Sequence, residues 1–472
     1  MSRRWKTACF IFTLWAAAAI SSPAQTFTTL HTFDITDGAF PSAALVQGLD
    51  GSFYGTTANG GRELCNVGCG TVFKITPDGT LTTLHEFVRT DGQNPQGGLV
   101  LASNGILYGT TSSGSQGLDT FFKITPGGTL TTLAQFGPGI GAVSTLIQAN
   151  NGNLYGTTQG AINPGTVYGV TLSGTITMQH NFCQIKNCLD GANPAASLVQ
   201  GTNGFLYGTT EWGGLATGLC SEDGCGTIFE VGYAGSLSIL HKFAGVINGQ
   251  FPQAGLMQAS DGNFYGSSAG GSNQGGGLVS KITPQGAFSV LYNFCALADC
   301  ADGAGSNGLV QATDGNLYGT SPSGGSDNCV PRCGTVFQLT PTGVLTVLHS
   351  FGKTDGGYPK AALVQGTDGN FYGVTTGFAG QHLWGTVFKL SMGLAPFVKT
   401  VPTGAYPGTQ VFILGNNLTG ATSVTFGGKA AEFTVVSATE IIATVPKDPC
   451  MVTVEVTTPS GTLSSNIPFR VF

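Results

Sequence analysis

Charged residues are scarce in this sequence. Asp, Glu, Lys and Arg make up 9% of its 472 residues, whereas a typical soluble domain has about 25%. The 41% of apolar residues excludes the usual disordered composition, which is polar and cannot bury enough surface to offset chain entropy. A net charge of -6 at pH 7 offers no basic surface to a phosphate backbone, so we expect no nucleic-acid partner.

Long hydrophobic segments and catalytic motifs are also missing. After residue 20 no segment of 18 apolar residues occurs, so we expect no membrane span beyond the N-terminal leader. The chain has no G-x-S-x-G, H-E-x-x-H or P-loop motif. The sequence therefore predicts no cofactor and names no catalytic residue, although a fold could still bring distant loops together into a site.

Residues 1–24 have the composition of a signal peptide. Three basic residues precede the apolar stretch Ala8–Ile20, and small residues at Ser22 and Ala24 suit cleavage after Ala24. A membrane anchor is the alternative, but it needs about 20 apolar residues. We therefore expect a secreted or cell-surface, extracytoplasmic protein.

Glycine is abundant, with 75 residues, and it belongs to a unit that recurs seven times. Each copy has an apolar run, an Asx-Gly pair, a Tyr-Gly segment, a variable loop, and two further apolar runs such as Thr71–Thr76 and Thr80–Phe87. Short β-branched and aromatic runs between turn residues predict four strands per copy. The Asx-Gly pairs predict type I′ hairpin turns. The repeated tyrosines are Tyr54, Tyr108, Tyr155, Tyr207, Tyr265, Tyr318 and Tyr372, and we interpret them as core residues.

The seventh copy lacks its fourth strand. No matching segment follows Thr386–Leu390, but Thr26–Phe33 at the other end of the chain matches it. Pairing of that segment with the last sheet would close a ring and leave only short edges. We predict an all-β chain in which residues 25–391 form a seven-bladed β-propeller closed by the N-terminal strand. A linear β-solenoid is the alternative. In a solenoid the N-terminal segment would have no reason to match the strand that the last repeat lacks.

Residues 394–472 lose the repeat. Alternating strands such as Val424–Gly428 and Val452–Val456 predict an immunoglobulin-like β-sandwich that follows the propeller.

Both parts resemble known families. The motifs Asp-Gly-Asn-Phe-Tyr-Gly, Gly-Thr-Val-Phe-Lys-Ile-Thr-Pro and Leu-Thr-Thr-Leu-His-x-Phe resemble the GloVer tandem repeat of exported, choice-of-anchor bacterial proteins, over nearly all of residues 26–391. The resemblance implies a secreted or surface protein with no assigned activity. The segments Gly415–Leu418, Thr422–Gly428 and Ile441–Pro446 resemble an IPT/TIG domain, which implies a spacer or interaction module.

Ten of the 12 cysteines lie in close pairs. Cys9 belongs to the leader and Cys450 is left over. Close pairs in an exported chain predict disulfides, because zinc would need four converging ligands and these pairs lie in different repeats. The pairs are Cys65 with Cys69, Cys183 with Cys188, Cys220 with Cys225, Cys295 with Cys300, and Cys329 with Cys333. Their loops emerge on one side of an up-and-down sheet, here called the stapled face, where binding loops are expected.

Candidate ligand-binding residues lie in loops of the stapled face. Asp-Gly pairs in the entering loops would form a ring of carboxylates near the channel mouth that could bind Ca²⁺, with turn capping as the alternative. These are Asp37, Asp91, Asp190, Asp302 and Asp355. Glu211 with Trp212, and Trp384, suit stacking on a sugar, with packing on their own loops as the alternative. Five histidines at one position of the fourth strand are interpreted as packing residues: His31, His85, His180, His241 and His349.

The sequence thus predicts a secreted or surface-exposed, non-enzymatic binding or scaffold protein. Its expected partner is an extracellular glycan, envelope component or protein, bound on the stapled face. Two alternatives stay open. One is an extracellular lyase or glycan hydrolase that uses Glu211 or Asp223, and the other is a structural surface-layer component.

Overall fold

The structure is a computed structural model that describes residues 25–472 except 62–64, 66–67, 113–117, 138–140, 143, 160–163, 216–219, 221–222, 272–274, 326–332, 353, 378–383 and 448–450. The predicted signal peptide, Cys329 and Cys450 lie outside the described residues. None of the described residues forms a helix that is long and apolar enough to cross a membrane.

The described chain is all-β and consists mainly of repeated four-stranded antiparallel sheets. It opens with β1 (Thr26–Thr32). Three sheets follow in chain order: β2 (Val46–Gln47), β3 (Phe53–Thr57), β4 (Thr71–Ile75), β5 (Leu81–Glu86); β6 (Val100–Leu101), β7 (Leu107–Thr111), β8 (Thr120–Ile124), β9 (Leu130–Gln135); β10 (Ile147–Gln148), β11 (Leu154–Thr158), β12 (Thr166–Val170), β13 (Ile176–Asn181). Three more are β14 (Val199–Gln200), β15 (Leu206–Thr210), β16 (Thr227–Val231), β17 (Leu237–Lys242); β18 (Met257–Gln258), β19 (Phe264–Ser268), β20 (Leu278–Ile282), β21 (Phe288–Asn293); β22 (Leu309–Gln311), β23 (Leu317–Ser321), β24 (Thr335–Leu339), β25 (Leu345–Ser350). Short 3-10 turns lie at Lys186–Cys188 and Ala298–Cys300.

The last sheet of the repeats contains both ends of the repeated region. Strands β26 (Val364–Gln365), β27 (Phe371–Thr375) and β28 (Thr386–Ser391) are completed by β1, in the order β1-β28-β27-β26. β1 is antiparallel to β28 and aligns Phe27 with Leu390. The predicted pairing of the N-terminal segment with the last sheet is confirmed.

A glutamine at the end of the first strand joins neighbouring sheets, and sequence analysis missed it. Its Oε1 accepts a hydrogen bond from a backbone N–H in the Asx-Gly turn of the neighbouring sheet. The pairs are Gln148 with Ser103 (2.7 Å), Gln200 with Asn150 (2.9 Å), Gln258 with Thr202 (2.9 Å), Gln311 with Ser260 (2.7 Å), Gln365 with Thr313 (3.3 Å) and Gln47 with Thr367 (3.0 Å). The last pair joins the first sheet to the last, so a second set of contacts supports ring closure. At the remaining junction Leu101 stands in the glutamine's place.

The first strand of each sheet is shorter than the sequence predicts. In the first repeat the apolar run predicted as a strand is Ala43–Gln47, but β2 contains only Val46 and Gln47. In the second repeat the carbonyl of Gly97 accepts a hydrogen bond from the Thr56 hydroxyl of the preceding sheet, at 3.1 Å. Backbone groups before the first strand are therefore satisfied by the neighbouring sheet and do not extend the ladder.

The tyrosines of the Tyr-Gly pairs are core residues, as predicted. All seven are at most 2% exposed and pack between sheets. The Tyr372 ring stacks on Phe53 of the first sheet, with centroids 3.9 Å apart. The Tyr54 hydroxyl donates to Asp50 of its own Asx-Gly turn, at 2.9 Å, and burial raises the pKa of that hydroxyl. One side chain therefore links the hairpin turn to the apolar space between sheets.

The C-terminal region forms three small sheets. Its strands are β29 (Lys399–Val401), β30 (Gly404–Ala405), β31 (Gln410–Leu414), β32 (Ser423–Phe426), β33 (Lys429–Ala430), β34 (Phe433–Val435), β35 (Glu440–Thr444), β36 (Met451–Val452), β37 (Val454–Thr458), β38 (Gly461–Ser464) and β39 (Phe469–Val471). The strand orders are β29-β31-β35-β34, β30-β39-β36 and β33-β32-β37-β38. Their inward residues, including Val411, Phe426, Ile441, Val456 and Phe469, share one buried core.

The C-terminal region packs on the Asx-Gly turns of the repeats. The Thr439 hydroxyl donates to the carbonyl of Leu49 at 2.8 Å, and the Asn416 amide donates to the Thr367 hydroxyl at 2.9 Å. Lys399 Nζ donates to the carbonyl of Gln365. Arg470 donates to the carbonyl of Thr202. In an up-and-down sheet these turns lie at the end opposite the loops of the stapled face, and none of these four contacts involves that face.

The buried ammonium group of Lys399 predicts a rise in stability with pH. Burial lowers its pKa to about 8, against an ordinary value of 10.5, so between these values the unfolded chain binds more protons than the folded one. We expect Lys399 to raise the free energy of unfolding by about 1 kcal/mol between pH 8 and 9, below the pH at which tyrosine ionisation in the unfolded chain reverses the trend. Urea unfolding at several pH values measures the slope. Lys399→Met should abolish it and Lys123→Met should not; an equal slope in both variants would contradict the prediction.

Candidate ligand-binding site on the stapled face

Five repeats enter their first strand through a residue in the left-handed backbone region, directly before a proline. This conformation costs a non-glycine residue about 1–2 kcal/mol. A proline that follows also restricts the backbone conformation of the residue before it. The residues are Phe40 (φ 57°), Asn94 (57°), Asn193 (57°), Phe251 (56°) and Tyr358 (53°). Recurrence of a costly conformation at one place in the repeat indicates a constraint imposed by function or by the surrounding structure.

Backbone hydrogen bonds from the preceding sheet in the ring hold these residues. The main-chain N–H of each strained residue donates to a backbone carbonyl of the preceding sheet. The acceptor residue lies two positions before the third strand of that sheet. The pairs are Asn94 with Cys69 (2.7 Å), Phe251 with Cys225 (3.0 Å), Tyr358 with Cys333 (2.8 Å), Asn193 with Pro164 (2.6 Å) and Phe40 with Trp384 (2.8 Å). Three of the five acceptors are disulfide-bonded cysteines. The disulfides therefore stiffen the loops that hold the strained residues.

Disulfide bonds join four of the five predicted pairs. They are Cys65–Cys69, Cys183–Cys188, Cys220–Cys225 and Cys295–Cys300. Cys333 is disulfide-bonded as well, while its predicted partner Cys329 lies outside the described residues. Each bond closes a short loop, so its effect on global stability is about 2 kcal/mol and its main effect is local.

Three of the strained residues line a cavity of about 840 Å³, here called the mouth cavity. Its lining residues include the aromatic residues Phe40 and Tyr358, the amide-bearing residues Asn59, Asn94 and Gln96, and the cationic residue Lys360. A volume of this size lies within the usual range for ligand sites, about 300–1,000 Å³. Apolar rings beside a few hydrogen-bonding groups are the usual lining of such sites.

The mouth cavity adjoins a second cavity at the centre of the repeats. This central cavity, of about 280 Å³, is lined by residues from all seven repeats: 42–44, 96, 144–145, 195–197, 253–256, 307–309 and 360–362. Ser42, Gln96 and Lys360 line both. The two cavities therefore meet at these three residues.

Trp384 lies beside the mouth cavity. Its ring meets that of Phe40 edge to face, with centroids 5.6 Å apart. The carbonyl of Trp384 accepts the hydrogen bond from the Phe40 N–H. In three other repeats a cysteine carbonyl accepts the equivalent bond. In this structure the indole supports a cavity-lining ring.

Glu211 lies at the edge of the central cavity. Its Oε2 accepts from the Asn193 amide at 2.6 Å, and its Oε1 accepts from the Gln253 amide at 2.7 Å. Gln253 lines the central cavity. Trp212 is 43% exposed, and its backbone pairs with that of Ala192 in the entering loop. Glu211 therefore presents a carboxylate that amides, rather than cations, hold in place.

The five predicted aspartates pair with residues of the fourth strand. Asp37 accepts from His31 at 2.7 Å, and Asp355 accepts from His349 at 2.7 Å. Equivalent hydrogen bonds join His85 with Asp91 (2.9 Å) and Tyr292 with Asp302 (2.8 Å). His180 Nε2 faces Asp190 at 3.8 Å, which is beyond hydrogen-bond distance. Sequence analysis expected these carboxylates near the channel mouth, and none of the five is among the described residues that line the mouth cavity or the central cavity.

The aspartates also cap their own loops. The other carboxylate oxygen accepts backbone N–H bonds, as at Val88 for Asp91 (2.8 Å) and at Gly352 for Asp355 (2.7 Å). Burial alone would raise the pKa of Asp355, but the bonds from His349 and Gly352 hold it below its ordinary value. No three His, Cys, Asp or Glu side chains gather as a metal site within the described residues.

In one repeat the carboxylate of this pair is replaced by an amide. His241 faces Asn248 at 3.2 Å, and its ring stacks on Phe288. Burial without a carboxylate partner lowers the pKa of His241 to about 4. The unfolded chain therefore binds more protons between pH 6.5 and 4, and this residue makes the folded state less stable as the pH falls through that range.

A carboxylate at position 248 should restore ordinary titration. We expect Asn248→Asp to raise the pKa of His241 by about 1–3 units, because an opposite charge within about 4 Å favours the imidazolium. NMR titration of the histidine ring protons measures it. Asn248→Ala removes the amide without adding charge and should leave the pKa low. Equal pKa values in the two variants would show that burial, not the missing carboxylate, decides this value.

Sequence analysis missed the strained residues, although the sequence carries their signal. A proline follows each of them at the same place in its repeat, at Pro41, Pro95, Pro194, Pro252 and Pro359. The conformation of the residue before the proline could not be read from that pattern, since proline normally disfavours it.

Comparison with known proteins places the repeats in a family. No curated protein sequence matches this chain. Solved structures similar to this chain include the WD40 β-propeller domain of Doa1 (11% identity, 77% of this chain and 96% of that chain, TM-score 0.47). A luciferin-regenerating enzyme has 14% identity, covers 64% of this chain and 92% of its own, and has a TM-score of 0.42. A protein of unknown function from Bacteroides thetaiotaomicron has 14% identity over 69% of this chain and 82% of its own, with a TM-score of 0.39. The Gloeobacter/Verrucomicrobia repeat matches residues 19–159, 141–302 and 219–436, and the chain belongs to that repeat family.

Proposed function

We propose that this chain is a secreted or surface-exposed binding protein, with no catalytic role, that takes a glycan or envelope component on its stapled face. In this proposal residues 1–24 are a signal peptide, and residues 25–391 are a seven-bladed β-propeller. Residues 394–472 are an immunoglobulin-like sandwich of the IPT/TIG kind. The closure by β1, the glutamine links and the central cavity support the propeller. Disulfide bonds support an oxidising compartment outside the cytoplasm.

The mouth cavity carries this proposal. Phe40 and Tyr358 line it from strained backbone positions that hydrogen bonds to neighbouring loops maintain. An aromatic ring offers an apolar face to the C–H groups of a sugar, and the amides of Asn59 and Asn94 can both donate to and accept from its hydroxyls. Fixed rings and amides lose little entropy on binding.

The other candidate residues have distinct roles in this proposal. Glu211, Trp212 and Trp384 extend the binding surface around the mouth cavity and the central cavity. The five aspartates stabilise the outer loops through their histidine, tyrosine and backbone partners. The C-terminal region packs on the opposite turns and serves as a spacer or a second contact.

A binding screen tests the proposal. The chain from residue 25 is applied to a panel of extracellular and envelope polysaccharides, and bound protein is detected by labelling. We expect at least one glycan class to bind with an affinity that Tyr358→Ala reduces, while Ile247→Ala, an exposed residue outside the mouth cavity, leaves it unchanged. Binding to no member of the panel, or equal losses in both variants, would count against a glycan site in this cavity.

A further inference from the structure

The mouth cavity contains one charged side chain among its described lining residues. Lys360 follows Pro359, and the repeats place Ser42, Gln96 and Gln253 at the same position. A cation here departs from the repeat, in a chain with few charges and a net charge of -6. The departure lies in the cavity, where a charge would meet a ligand.

Lys360 has no carboxylate partner within the described residues. The nearest carboxylate along the chain, Asp355, is bound to His349 and to the backbone of Gly352. The side chain of Lys360 is exposed. Its charge is therefore available to a ligand without the breaking of an internal ion pair.

The groups around Lys360 indicate the charge of the anion that would bind there. One ammonium group with neutral amides nearby, such as those of Asn94 and Gln96, matches a single negative charge with hydrogen-bonding oxygens. A doubly charged phosphate or a densely sulfated chain would need several cations or paired arginines. The rings of Phe40 and Tyr358 suit the flat apolar face of a sugar ring attached to that anion.

We propose that the mouth cavity binds a carboxylated sugar unit of an anionic polysaccharide, a uronate, with its carboxylate at Lys360 and its ring against Phe40 and Tyr358. This inference rests on the proposed glycan-binding function and adds the class of sugar. The carboxylate and the ring are recognised by different side chains, so their contributions can be separated by mutation.

Calorimetric titration with oligogalacturonate, and with the same oligomer after reduction of its carboxyl groups, tests the inference. We expect the acidic oligomer to bind about ten times more tightly than the reduced one, and to weaken as salt is raised from 50 to 300 mM. Lys360→Met should remove this preference and Lys360→Arg should keep it. Lys123→Met makes the same charge change outside the mouth cavity and should leave the binding intact.

The possible outcomes separate this inference from the function on which it rests. Equal binding of the acidic and reduced oligomers by the unaltered chain would overturn the uronate assignment and leave a glycan site standing. Tighter, Lys360-dependent binding of dextran sulfate would replace carboxylate by sulfate and also overturn it. Binding of neither oligomer would overturn the assignment, and an empty polysaccharide screen would overturn the glycan site as well.

Discussion

A chain that begins at Asp34 instead of Gln25 is expected to lose cooperative folding. The truncation removes β1, which completes the last sheet through its pairing with β28. It also removes Phe33, which is 2% exposed, packs edge to face on Phe73 and bonds through its N–H to the carbonyl of Gly385. Loss of a buried phenylalanine alone costs about 3–5 kcal/mol, and loss of the ladder adds to it, against a total stability of about 5–15 kcal/mol.

The truncated chain also exposes a strand edge. β28 would present unpaired N–H and C=O groups, which promotes pairing between molecules. Thermal unfolding followed by circular dichroism should lose its cooperative transition, and size-exclusion chromatography should show aggregates. A peptide of residues 25–33 added in trans should restore both by strand addition. A truncated chain that melts at the temperature of the longer one would contradict closure by β1.

Point variants in the same segment separate side-chain packing from closure. Phe33→Ala should lower the free energy of unfolding by about 3–5 kcal/mol because it empties a buried position. Thr28→Ala, at an exposed position that keeps its ladder bonds, should change it by less than about 0.5 kcal/mol. Similar losses in both variants would show that burial of the Phe33 side chain is not what stabilises this segment.

The features that the sequence revealed are those that repeat locally. Asx-Gly turns, Tyr-Gly strands and the orphan segment Thr26–Phe33 identify four-stranded units and their closure, because each depends on short-range periodicity or on turn chemistry. The cysteine pairs were also readable, since each lies within one loop. The core role of Tyr54 and its counterparts follows from the same repetition.

What could not be predicted depends on contacts between repeats. Gln47 reaches Thr367 across the closing junction, and no local pattern shows where its amide will bond. Asp37 and His31 were interpreted separately, although their constant spacing of six residues in three repeats was a signal of pairing. The left-handed conformation of Phe40 and Tyr358 arises because the preceding sheet supplies a fixed carbonyl.

The strained residues allow their conformation to be tested apart from their side chains. Tyr358→Ala and Tyr358→Gly both delete the ring from the mouth cavity, so any contact of the ring is lost equally. They differ in backbone preference, because glycine adopts a φ of 53° without penalty and alanine does not. We expect the glycine variant to be more stable to urea than the alanine variant by about 1 kcal/mol.

Binding should respond differently. Loss of an aromatic ring from the centre of a site costs about 1.4–2.8 kcal/mol, so both variants should bind the polysaccharide identified in the screen about 10–100-fold more weakly than the unaltered chain. Tyr358→Phe, which keeps the ring and the strain, should retain most of the affinity. Urea unfolding and calorimetry on the same preparations measure both quantities. A glycine variant that is no more stable than the alanine variant would show that position 358 is not strained. Full affinity without the ring would show that the conformation serves the loop and not the ligand.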